Sequence, residues 1–380
     1  MTANFKTGVL IVVAIAMLAA RRDLTTFKKL SNLEQNQALA PKAKLSEYGF
    51  FEGKISELSP AANVFPYEVN APLFSDYAEK ARFIYLPEAQ QMVYHADQAF
   101  EFPTGAVIIK NFFYCTDARS PEKGRRMLET RLLIKADQGW KALEYLWNAE
   151  QTDAVLEVAG ASFPVSWIDK TGKKQSIEYI APNLNQCKGC HSYDGRFVPI
   201  GITTRQLNRE ENGENQLLNW QKTTKLALPE GFDPATTTHL TDYRLPSNQS
   251  TNHQSTSHQS TNLPAVALAK EGHQSTAARS YLDGNCAHCH NPHGPASTSG
   301  MFLEYNQTDL ERLGVGKPPV AAGRGSGNRR YGIVPGKPNE SILVFRMESD
   351  DPGIRMPELG RQLQHREGVE LIKAWIREMR

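Results

Sequence analysis

Residues 183–191 read NLNQCKGCH, and residues 281–296 read YLDGNCAHCHNPHGPA. Each stretch holds two cysteines separated by two residues and followed at once by histidine. They are Cys187, Cys190 and His191 in the first, and Cys286, Cys289 and His290 in the second. That spacing is the one used for c-type haem attachment. Each of two vinyl groups takes one thioether bond, so two cysteines are needed. Two intervening residues match the separation of the vinyls, and the adjacent histidine reaches the iron from the proximal side. From composition alone the pattern is expected about 0.002 times in this chain, and it occurs twice. A zinc site built from the two Cys-x-x-Cys pairs leaves the histidine after each pair unexplained. It also requires the pairs to meet across the long segment between them. Two small disulfides leave the histidines unexplained as well. The sequence therefore implies two covalently bound haem c groups, held by Cys187, Cys190, Cys286 and Cys289. His191 and His290 are their axial iron ligands.

The sixth ligands differ. Downstream of His290, Met356 sits in IRMPELG (354–360). The proline after it favours extended backbone, so no helix claims the side chain. Met356 is the expected distal ligand of the second iron, and thioether ligation raises the potential of a c-type haem. Met347 lies in the apolar run ILVFRM (342–347) and reads as core. Met301 is too near His290 to reach the opposite face. No methionine lies between His191 and Cys286. For the first haem, His239, His273, His95, Met92 and an open position all stand as alternatives. His253 and His258 fall in a low-complexity stretch and suit the role poorly. His288 and His293 read as hydrogen-bonded surroundings of the haem rather than ligands.

Outward from the motifs, 380 residues are more than one hydrophobic core usually serves. Apolar content of 40% and charged content of 22% fit ordinary globular structure, and a net charge of +2 gives no reason to expect nucleic acid. Lys6 precedes an apolar run, VLIVVAIAMLAA (9–20), which suits a signal-peptide core and is short for a membrane span. Arg21 and Arg22 follow at once, so residues 1–22 read as a signal peptide or an uncleaved N-terminal membrane anchor. Either one places the chain in the periplasm.

Residues 23–44 read as a polar spacer with one short helix. Runs rich in β-branched and aromatic residues follow at 105–114, 130–135, 142–147, 154–158 and 175–180, divided by Gly, Pro, Asp and Asn clusters. They predict a β-sandwich-like domain over 45–175. A first haem-binding segment spans 176–246, with a helix at 215–221. The stretch SNQSTNHQSTSHQSTN (247–262) is polar and repetitive, which makes 247–274 a low-complexity linker. A cytochrome c-like domain spans 275–380. One helix leads into its second motif, and Val369, Ile372, Ile376 and Met379 mark a closing helix. The expected fold class is multidomain α+β: an all-β sandwich-like domain, then mainly α-helical cytochrome c-type haem domains. Cys115 reads as a buried inert thiol. Trp140, Trp147 and Trp167 read as core rather than as a binding surface.

Both motif stretches, with MPELG (356–360), resemble a family of exported bacterial di-haem c-type cytochromes. FPTG (102–105), LETRL (128–132) and YLWN (145–148) resemble the same family's β domain. The likeness covers nearly the whole chain after Lys44, although the Gln-Ser-Thr stretch and the His273 region depart from it. The resemblance implies a di-haem cytochrome without an assigned reaction. Family members often accompany a right-handed parallel β-helix protein, so such a protein is an expected partner beside periplasmic redox proteins. The function expected is electron transfer. One alternative is a peroxidase-like oxidoreductase with an open first haem. Another is a partner- or glycan-binding β domain with the haems as relay. No side chain stands out as an acid–base catalyst.

Overall fold

Strand β4 (Val107–Cys115, VIIKNFFYC) is rich in β-branched and aromatic residues and lies inside the main sheet. The computed structural model describes residues 40–244 and 273–380. The signal or anchor segment, the 23–39 spacer and linker residues 247–272 lie outside the described residues. Around β4 are β1 (Val64–Pro66), β2 (Glu79–Tyr85), β5 (Arg125–Ala136), β6 (Gly139–Trp147) and β7 (Ala154–Glu157). They form one antiparallel sheet in the order β1-β2-β4-β5-β6-β7. The short β3 (Met92–Val93) leaves this sheet and pairs in parallel with Leu226–Ala227. The hairpin of β8 (Ala161–Ile168) and β9 (Lys174–Ala181) lies over one sheet face through Val165, Trp167 and Tyr179, which pack on Phe112, Tyr114 and Leu128.

The described residues also hold seven short α-helices. They are α1 (Leu184–Cys190), α2 (Thr204–Leu207), α3 (Gln216–Lys222), α4 (His273–Leu282), α5 (Leu310–Leu313), α6 (Ile342–Glu348) and α7 (Arg366–Glu378). The expected mainly α-helical haem region is therefore a correction: strands hold 27% of the residues and helices only 24%. The physical reason lies between the second motif and α6. The stretches NPHGPASTSG, GKPPVAAGRGSG and VPGKPNE are dense in glycine and proline, which favour turns over helix. The β part also departs from expectation. It is a single six-stranded sheet with a two-stranded hairpin on its face, not two facing sheets.

The described residues from Ala43 onward form one compact unit. Side chains from both ends of the sequence hold it together. The Asn285 side chain accepts the Phe74 N–H at 2.7 Å, and Arg205 Nε reaches both carboxylate oxygens of Asp283 at 3.1 and 2.9 Å. Trp147 and Trp167 are buried, and Trp140 packs its ring on Phe102 at 5.1 Å.

Gly284 shows how tight this junction is. A Cβ built there would sit 2.4 Å from the Ala71 carbonyl oxygen, a backbone atom with little room to yield. Gly284→Ala is expected to destabilise the chain by about 2–3 kcal/mol, the scale of overpacking a close contact. A chemical denaturation midpoint equal to that of the parent would refute it.

Candidate functional site

The first motif occupies α1. Asn183 caps this helix: its side chain accepts the Gln186 N–H at 3.0 Å, and the Gln186 side chain returns a bond to the Asn183 N–H at 2.9 Å. The helix ends at His191, just past Cys190. The second motif follows α4 through a turn of π-helix, Asp283–Ala287, a wider winding that recurs at functional sites.

Both motif histidines are oriented in the same way. His191 Nδ1 lies 2.7 Å from the Val198 carbonyl, and His290 Nδ1 lies 3.2 Å from the Met301 carbonyl. A carbonyl only accepts, so each ring donates from Nδ1 and leaves the Nε2 lone pair for another partner. Burial pushes His191 down to about 3 and lowers His290 as well, so both rings are neutral, the form that binds metal. The His191 ring also stacks on Phe197 at 5.0 Å.

The fold brings the two motifs together. Donor atoms of Cys190, His288 and Cys289 lie within 4.8 Å of one another. Three residues beyond each motif histidine, the segments are tied again. Asp194 N–H donates to the His293 carbonyl at 2.9 Å, and His293 Nδ1 meets the Asp194 carboxylate at 2.9 Å. No disulfide joins any of the five cysteines. The hydrogen bond from Cys289, then that from His288, draws Cys190 down to about 5, while Cys289 is pushed up. Cys115 is half-buried, and burial raises its thiol.

Met356 borders a small apolar cleft together with Met347, Tyr281, Asn285 and His365. Met347 is also core, 5% exposed in the cluster that joins α4, α6 and α7. The loop that carries Met356 is held by Arg361, itself 4% exposed. Its guanidinium donates to the carbonyls of Arg346, Met347, Ser349, Met356 and Leu363. Asp76 clasps the next residues, accepting the N–H groups of Gln362 and Leu363 at 2.7 Å each. Farther along the same loop, Leu359 abuts Gly189 between the first motif's cysteines.

Comparison with protein-family models, with curated proteins and with solved structures finds no match.

Of the alternatives for the first haem's distal side, Met92 is fully buried among Ile84, Phe100, Trp220 and Leu226 and is committed to core. His95 Nδ1 accepts the Gln98 N–H at 3.3 Å, and His239 is exposed. His253 and His258 lie outside the described residues, as does the His273 side chain.

Sequence reading does not single out His365, Arg361 or a band of charge on the sheet. His365 stacks on Phe74 at 4.1 Å, and its Nδ1 lies 3.2 Å from the Tyr281 hydroxyl. Nothing local in the sequence marks it. The band does have a local signal, because Lys110 follows the apolar run Val107, Ile108 and Ile109, and Arg131 precedes Leu132, Leu133 and Ile134.

The donor set fits haem c. Four thiols, two neutral histidines with free Nε2 and a methionine beside an apolar cleft are the groups such a cofactor requires. Cys187 and Cys190 with His191, and Cys286 and Cys289 with His290, are the residues that would hold the two groups.

Proposed function

We propose that this chain is a periplasmic di-haem c-type cytochrome that passes electrons between redox partner proteins. The observation that carries the reading is the paired geometry. Two Cys-x-x-Cys-His segments, each with its histidine fixed through Nδ1 on a backbone carbonyl, lie with Cys190 and Cys289 side by side. Haem iron, when bound, supplies one-electron redox chemistry. The chain's residues do the rest. The cysteines tether, the Val198 and Met301 carbonyls hold the rings, and the Met356 loop closes the apolar cleft. Adjacent tethers favour transfer within the chain over independent traffic at two separate sites.

The acid-denatured, exported chain is expected to carry the mass of two haems. Cys286→Ala combined with Cys289→Ala removes one adduct and leaves the other.

The Cys190, His288 and Cys289 cluster favours a second reading, a metal ion on two thiolates and an imidazole, as in structural zinc sites. The same spectrum decides. No covalent adduct, with zinc released on denaturation, would replace the haem proposal by that one.

A further inference from the structure

Register places three cations in one row across three neighbouring strands. Arg82 on β2 faces Lys110 on β4, and Lys110 faces Arg131 on β5. Directly opposed like charges destabilise a sheet. The row continues to Glu144 on β6, and Lys80 stands one pair along, opposite Phe112. Apolar packing bounds this band on both sides, with Ile84 and Ile108 at one end and Tyr114 with Trp167 at the other.

The charges do not cancel. Arg82 pairs with Glu68 at 3.3 Å, and Arg131 pairs with Glu129. Glu144 sits 6% exposed beside Glu129, and burial followed by the Glu129 charge raises it to about 10, so it adds no negative charge at neutral pH. Lys80 has the Ala78 carbonyl at 3.1 Å and the Phe112 ring. Among the described residues Lys110 has only that ring, 5.1 Å from its centroid. Arg131 Nε is buried without a partner. Two lysines are therefore left without a carboxylate, and burial followed by the Arg82 charge lowers both, Lys80 to about 7. The first motif lies at the end of this row: α1 and Arg196–Phe197 pack on β6, the strand that carries Glu144 opposite Arg131.

We propose that Lys80, Lys110 and Arg131 form a carboxylate site that receives the propionates of the haem tethered at Cys187 and Cys190. This inference rests on the di-haem reading and gives the β-sheet a role, as the polar wall of the first haem site. Two propionates would supply the carboxylate partners that Lys80 and Lys110 lack. A guanidinium with a free N–H and two ammonium groups suit carboxylate oxygens.

The test uses the matured, exported full chain carrying Lys110→Met, with Lys80→Met as a second variant in case the first does not accumulate. Haem count by mass comes first. Absence of adducts sinks the di-haem reading itself, whereas two adducts allow the inference to be judged separately. The expected result is a shift of the propionate bending mode of one haem in resonance Raman spectra. The holoprotein's unfolding constant should also rise about tenfold, the scale of one lost charge-assisted hydrogen bond. A variant more stable than the parent overturns the proposal, because it shows bare repulsion in the row. An unshifted mode also overturns it. So does stabilisation of the parent, but not of the variant, by added inorganic phosphate with the mode unchanged, since the row then takes a free oxyanion.

Discussion

Arg361→Ala is expected to cost roughly 3–5 kcal/mol and to abolish whatever ligation Met356 provides. The guanidinium is 4% exposed and supplies donors to the carbonyls of Arg346, Met347, Ser349, Met356 and Leu363. Each buried carbonyl left without a donor costs about 1–3 kcal/mol. Relaxation and entering water recover part of the sum, so the total lies below simple addition. Arg361→Lys is expected to rescue little, because one ammonium cannot reproduce a planar fork of five donors. Denaturant titration of the holoprotein measures the cost, and the visible spectrum reads the methionine. A variant with the parent's midpoint would show that the loop between α6 and α7 stands without its guanidinium. Full rescue by lysine would show that charge alone, rather than geometry, holds it.

Met356→Ala is expected to remove the weak sulfur-to-iron band at the red end of the oxidised spectrum. It should lower the potential of one haem by a fraction of the ~0.8 V range that axial ligands span. Met347→Leu is the control. Met347 borders the same cleft but is 5% exposed in the core joining α4, α6 and α7. A swap of similar volume there costs under about 1.5 kcal/mol and leaves the band in place. Band loss with Met347→Leu and retention with Met356→Ala would reverse the assignment. Retention in both variants would direct attention to His365, which borders the cleft and which burial pushes down to about 4, so it is neutral.

Some of this molecule is written locally. The two Cys-x-x-Cys-His motifs are readable because they are patterns of fixed residue types at fixed spacing within one short stretch of chain. Five strands, β4 to β7 and β9, are readable because β-branched and aromatic residues run between turn formers. Helices α3, α4 and α7 are readable for similar reasons, α7 through Val369, Ile372 and Ile376 at helical spacing. Strand β2 is not, because Glu79, Lys80 and Arg82 mask it, and β8 is interrupted by Pro164. Its place opposite β4 becomes visible only once β4 exists, since a strand's partner is chosen by the pairing edge offered to it.

The architecture around the second motif is not legible locally either. Two helices legible at its ends do not decide what the glycine- and proline-rich chain between them does, and tertiary contacts hold it in turns.

The sequence by itself determined the donor atoms: four thiols, two histidines and a methionine in a loop. Only the tertiary structure decided their arrangement. It set Cys190 against Cys289, fixed each histidine through a distant carbonyl, and held the Met356 loop with Arg361 and Asp76. It also aligned Arg82, Lys110 and Arg131 into one row. Each of these depends on contacts between segments far apart in the chain. Such contacts are set by which apolar faces bury together and which strand edges pair, and no local window of sequence contains that information.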